Sequence, residues 1–236
     1  LCQLTQEQLA YSLFPIGHLQ KSEVRKIAKE QGFVTANKRD SQGLCFVGKV
    51  RLPDFLQQQL KPKEGKIIAI DQHHEKFKNI PSSNAPLAEQ ALKINYGEID
   101  GVEVGVHGGA HYFTIGQRKG LAVGGTVDPL YVIDTDVNEN VLYVGEGKNH
   151  PGLFRKVLKV APKEIHWVRE DLTLKAGQSL EVEARIRYRQ PLQKATIHSL
   201  ESGYFVSFDQ PQSAITSGQF VAWYQKKELL GSGVIT

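Results

Sequence analysis

Methionine is absent from all 236 residues, and cysteine occurs only at Cys2 and Cys45. Two widely separated thiols give neither a disulfide framework nor the paired spacing of a zinc site. No apolar run is long enough to span a bilayer, and no basic-then-apolar leader opens the chain, so no membrane role and a cytoplasmic location are expected. The start at Leu1-Cys2-Gln3, where an initiator methionine would stand, reads as a fragment or processed piece whose function draws on further residues. Charge of one sign is not in large excess either. Lys and Arg number 29 against 25 Asp and Glu, a net +4 that permits a polyanionic partner without demanding one. A hydrophobic content of 40% and a charged content of 23% are ordinary for a globular protein able to bury a core, and the length suggests one or two domains.

What is present divides by character. Thr5-Gln6-Glu7-Gln8 fits a capping box opening a short helix, with Leu9, Ala10 and Leu13 as its apolar face. The spacing of Val24, Ile27 and Ala28 predicts a second helix over 21–31, stopped by Gly32. Pro53 to Leu60 reads as a third short helix. Beyond it, β-type runs alternate with Gly, Pro and Asn turns, and 130–134 with 140–144 carries a hairpin signal. Residues 71–95, with His73 and His74, read as a long exposed excursion. After Pro151 the regular strand spacing to Val234 argues for a small barrel or sandwich. Trp167 and Trp223 are expected in its core.

Three constellations could carry chemistry. In Asp40-Ser41-Gln42-Gly43-Leu44-Cys45-Phe46, Cys45 follows a polar turn with Lys38 and Arg39 upstream; neighbouring cations favour the reactive thiolate. The competing reading is a small buried hydrophobe. Cys2, without activating neighbours, reads as packing. Residues 180–189 alternate apolar Leu180, Val182, Ala184, Ile186 and Tyr188 with charged Glu181, Glu183, Arg185, Arg187 and Arg189, predicting a strand with one charged face. That face either contacts a phosphate backbone through arginine forks or is simply solvated. Third, glycines flank Gln117-Arg118-Lys119, an exposed basic loop suited to phosphate but without Walker spacing. The Gly-Gly between His107 and His111 argues against a helical metal pair, so no metal site is expected. His18 and His166 read as structural.

Taken together, 4–9, 14–19, 40–46, 112–121 and 187–190 form an ordered series, including Phe14-Pro15-Ile16-Gly17-His18-Leu19 and Tyr112-Phe113-Thr114-Ile115-Gly116-Gln117-Arg118-Lys119. This series resembles the tRNA-specific 2-thiouridylases. The resemblance implies an ATP-dependent sulfurtransferase (with magnesium) that converts the wobble uridine of certain tRNAs to 2-thiouridine, fed by a sulfur-relay protein or cysteine desulfurase. The position matching the persulfide-carrying cysteine is Cys45. Those matching tRNA contacts are Arg187, Tyr188 and Gln219, and Gln117, Arg118 and Lys119 are candidate phosphate contacts. The nucleotide-binding motif and the first catalytic cysteine would precede Leu1, so this chain alone is expected to be inactive and to bind no ATP. By similarity, 1–50 would be the helical tail of the catalytic domain, 51–152 a central β-rich domain, and 153–236 a β-barrel like those of elongation factors. The fold expected is therefore mainly β with a small helical N-terminal part. Residues 71–106 look longer than the family's usual link. If Arg187 and Tyr188 both bind RNA, the strand must end or bulge near them, since neighbours on a regular strand face opposite ways. A non-catalytic RNA-binding barrel with an inert Cys45, and a cysteine hydrolase pairing Cys45 with His18 or His111, are the alternatives.

Overall fold

The computed structural model describes residues 2–38 and 60–236. Cys45 and the helix expected over 53–60, except Leu60, lie outside the described residues. The chain divides into two compact units, Leu4–Lys61 and Leu1–Gln3 with Pro62–Thr236.

In the first unit, α1 (Gln6–Ala10) opens with the capping box read from the sequence. The Gln8 amide N–H donates to the Thr5 hydroxyl at 3.2 Å, and Gln8 Oε1 accepts from the Thr5 amide at 3.0 Å. The helix is only five residues long, so Leu13 falls beyond it and is 92% exposed, unlike the apolar face expected of it. The second helix, α2 (Lys21–Glu30), closes with paired bonds from Gly32 N to Lys29 O and from Phe33 N to Ala28 O. That closure requires φ near +69° at Gly32, where a side chain would be strained.

The second unit holds two sheets. Strands β1 (Gly65–Ile70), β2 (Val102–His107), β3 (Leu130–Asp136) and β4 (Val141–Glu146) form a four-stranded sheet in the order β2-β1-β4-β3. β1 lies parallel to β4, and the other pairs are antiparallel. Ile67, Leu142 and Val144 pack on one face, while Ile68, Ile70 and Tyr143 pack on the other. With both faces covered, strands read as near-continuous apolar runs. The expected hairpin joins β3 to β4, with Asp136 Oδ1 accepting from the amides of Asn138 (2.9 Å) and Glu139 (3.0 Å).

The stretch 71–95 is largely exposed, as its composition suggests, but it is docked at a few points. It contains α3 (Glu75–Lys78) and α4 (Leu87–Gln90). Phe77 stacks edge-on against His150 at 5.2 Å and leans on Tyr96, while Leu87 and Ala91 pack with Val157 and Phe205. A few apolar anchors in a polar segment are enough to dock it, and such sparse anchors leave no periodic signal. Arg155, half-buried and with its pKa held below the ordinary value by loss of solvent, donates to Ala91 O and Ile215 O, both at 3.1 Å.

His150 at the end of this first sheet gives the fold a pH dependence. Its ring is buried, with Nε2 at 3.1 Å from Ile70 O and Nδ1 accepting from the Gly152 amide at 3.2 Å. That pairing fits the neutral ring, and burial holds its pKa below the ordinary value, as it does for His107 and His198. The unfolded chain takes up these protons near pH 6.5 and the folded one resists, so the unfolded state binds more protons and stability falls as pH drops below about 6.5. Each such site contributes at most about 1.4 kcal/mol per pH unit. Denaturation midpoints should fall between pH 7 and 5. His150→Gln should show a shallower slope, and an unchanged slope would remove His150 from this account.

The second sheet runs β5 (Phe154–Val160), β9 (Gly203–Ser213), β8 (Gln193–Leu200), β7 (Ser179–Arg185), β10 (Phe220–Gln225), β11 (Glu228–Val234) and β6 (His166–Trp167). It curls until its edges meet. Val160 bridges Ile235, Ala161 N donates to Val234 O (2.9 Å), and Thr236 N donates to Lys159 O (3.0 Å). Inward side chains from alternating positions fill the interior, including Leu158, Ile197, Val206 and Leu230. Trp167 and Trp223 meet edge-on at 5.3 Å in its centre, as expected of them. Gly231 permits this, because a Cβ there would stand 2.5 Å from His166 O and 2.8 Å from the Trp223 ring. The chain is thus mostly β, with few helices. Among the described residues no helix is long and apolar enough to cross a membrane.

Candidate nucleic-acid interface

β7 keeps its alternation only to Ile186. Val182, Ala184 and Ile186 are buried, and Glu181 and Glu183 are exposed. The ladder to β10 then stops at Arg185, paired with Ala222. Gln190 caps the turn that follows: its side-chain Oε1 accepts from Ile186 N at 3.1 Å, and its backbone N–H donates to Arg187 O at 3.1 Å. Pro191 has no N–H to extend the ladder. Freed from the sheet, Tyr188 stands 85% exposed, where regular alternation would have turned it inward. The condition that lets Arg187 and Tyr188 share a face, a strand ending beside them, is met.

Arg187, Tyr188 and Gln219 line one groove of about 760 Å³ on the outside of the barrel. The first two come from the turn after β7, and Gln219 from the turn before β10. Backbone bonds from Gly218 N to Ile235 O (2.9 Å) and from Ile235 N to Gln219 O (2.8 Å) fix that second turn. Gln219 Oε1 is a buried acceptor with no hydrogen-bond partner among the described residues. Arg187 is anchored by one Nη2 bond to Ala214 O at 2.8 Å, which leaves most of its donor fork toward the exposed side. Two arginines and no carboxylate line this groove among the described residues. Around the wall of the barrel, Glu181, Glu183 and Asp209 line a different cleft together with Lys194 and Lys226, so carboxylates slightly outnumber cations there. The charged face read from the sequence is therefore split between an acidic and a basic half.

The Gln117–Lys119 loop is a separate feature and does not line the groove. It is laced to β3 by bonds from Gly116 N to Val132 O (2.7 Å) and from Val132 N to Gln117 O (2.9 Å). Gln117 spends both ends of its amide within the loop, on Thr114 and on Lys119 O. Arg118 and Lys119 remain exposed. Cys2 is half-buried at the groove's edge, its carbonyl accepting from Ser232 Oγ at 2.7 Å. Sequence reasoning had Arg185 on the charged face but overlooked Phe220 and Tyr224 as groove residues; Tyr224 carried a signal, being outward by alternation on β10.

A closed antiparallel barrel placed after a mixed four-stranded sheet defines a class of multidomain proteins, and comparison with known proteins narrows it. Three family models match consecutive parts of the chain: the tRNA methyl transferase HUP domain over 1–49, the tRNA methyl transferase PRC-barrel domain over 89–146, and the aminomethyltransferase beta-barrel domain over 157–235. The chain belongs to the tRNA-specific 2-thiouridylase family. It is 63% identical over its whole length to the tRNA-specific 2-thiouridylase MnmA of Christiangramia forsetii and 60% identical to that of Flavobacterium johnsoniae, covering 61% of each. It is 40% identical to the Streptococcus pyogenes protein of the same name, covering 55% of it. The chain thus spans about three fifths of the length of the first two relatives. The domain names speak of methyl transfer and the relatives of thiolation; identity along the whole chain makes the relatives the better guide.

Proposed function

We propose that this chain is the RNA-holding and sulfur-carrying part of a cytoplasmic tRNA 2-thiouridylase that acts on the wobble uridine. The observation that carries the tRNA reading is the convergence of Arg187, Tyr188 and Gln219 on one carboxylate-free groove. Arginine forks neutralise phosphates and an exposed tyrosine offers a face on which an unpaired base can stack; the Gln219 amide, its oxygen now buried, would have to turn outward to bond a base or a 2′-hydroxyl. Exposed Arg118 and Lys119 would add phosphate contacts at a second place. Cys45, preceded by Lys38 and Arg39, would carry sulfur as a persulfide received from a donor protein and pass it toward C2 of the uridine.

ATP with magnesium is the cofactor expected of the complete enzyme. Neither described helix N-terminus of the first unit fits a triphosphate. At the start of α2 the Glu23 carboxylate already accepts from the Gln20 amide at 2.6 Å, placing a negative charge where a phosphate would need donors. The first turn of α1 carries Glu7 and closes its own free amides.

Salt-dependent tRNA binding tests the groove. In the complete gene product, Arg187→Ala should weaken tRNA binding several-fold and lower the slope of log affinity against log salt by about one. An unchanged slope would return Arg187 to an ordinary solvated position.

A further inference from the structure

One half-buried guanidinium in the groove pairs, among the described residues, with no carboxylate. Arg185 Nη1 donates to Tyr188 O at 3.0 Å, and its Nη2 donates to Tyr224 Oη at 2.8 Å. Its plane also lies over both rings, 5.7 Å from the Tyr188 centroid and 4.9 Å from that of Tyr224. We infer that Arg185 is a positioning residue, which locks the turn so that Tyr188 is presented outward for stacking before RNA arrives. This inference rests on the tRNA reading of the groove.

Tyr188 sits at the tip of a turn with its ring 85% exposed, so little packing restrains it. Gln190 holds the base of the turn, through Ile186, Arg187 and a 2.5 Å bond to Gln212 Oε1, but does not hold Tyr188 itself. Arg185 supplies what is missing by tying the Tyr188 carbonyl to Tyr224 on the neighbouring strand β10. Only a planar fork can make both bonds and lie over both rings, and lysine, a point charge on a flexible stem, cannot. Because Arg185 points away from the barrel interior, its loss should leave the core packed. A side chain ordered before binding spares the entropy of ordering it during binding, so the effect should appear as affinity.

Five variants of the complete gene product, titrated with an unmodified tRNA transcript at several salt concentrations, decide the matter. Arg185→Gln is expected to weaken binding about fivefold to tenfold without changing the salt slope. Arg185→Lys should behave alike, although it keeps the charge. In a Tyr188→Ala background, Arg185→Gln should cost nothing more, because the tyrosine it serves is gone. Additive losses there would overturn the inference, since a merely structural role would persist without Tyr188. A slope lowered by about one would also overturn it, making Arg185 a direct phosphate contact. So would binding unaffected by either Arg185 variant. Should Arg187→Ala and Tyr188→Ala both bind as the parent does, the tRNA reading fails and the positioning role falls with it. Melting temperatures identify any misfolded variant, and Arg185→Lys then still decides the case.

Discussion

Cys45→Ser in the complete gene product is expected to abolish 2-thiouridine formation, a loss of about a thousandfold or more, while tRNA affinity stays nearly unchanged. Serine matches cysteine in size and polarity closely enough to spare the fold. It cannot hold a sulfane sulfur, because the carrier step needs a sulfur–sulfur bond that forms from the donor and breaks on delivery. A thiol also ionises near neutral pH when cations such as Lys38 and Arg39 lie close in the chain, whereas a hydroxyl does not. The separation of the two readouts matters as much as the loss. Arg187, Tyr188 and Gln219 are far from Cys45 in sequence, so binding should survive. Thiolation retained by Cys45→Ser, measured by nucleoside mass spectrometry, would remove the cysteine from the reaction.

Trp223→Ala should cost the barrel about 3–5 kcal/mol, a large share of the stability of a typical domain. The ring is fully buried, abuts Trp167, and lies against Gly231, where no side chain can move in to fill the space it would leave. Among the described residues the indole N–H has no hydrogen-bond partner, as is true of Trp167, so the loss is one of packing and cavity formation. Trp223→Phe, which keeps most of the ring volume and removes the unpartnered donor, should cost distinctly less. Chemical denaturation followed by tryptophan fluorescence would check both, and equal costs for the two variants would contradict a packing origin.

How far the sequence foretold this follows from what each element depends on. The capping box at Thr5 and Gln8 and the stop at Gly32 were legible because they are settled by neighbours three to five residues away. The β3–β4 hairpin was legible for the same reason, and so was the run of strands that makes the barrel. The end of β7 was harder. Alternation continues on paper to Arg189, yet pairing stops at Arg185, because Gln190 and Pro191 favour a turn, although β10 itself runs on to Phe220. The docking of 71–95 was not legible at all. Phe77, Leu87 and Ala91 each find partners more than fifty residues further on, in His150, Val157 and Phe205, and only the fold brings those together. The groove lies between these cases. Arg187, Tyr188 and Gln219 could be carried over from a family resemblance, but the contribution of Arg185 depends on the cross-strand position of Tyr224, which no local pattern reveals.

The most direct test of the central claim is photocrosslinking of the complete gene product to tRNA, with crosslinked peptides mapped by mass spectrometry. The account predicts barrel crosslinks at Tyr188 and in the Gln219–Phe220 segment, lost when Arg187 and Tyr188 are replaced together. Barrel crosslinks confined to the acidic wall around Glu181 and Glu183, with none in the groove, would contradict it.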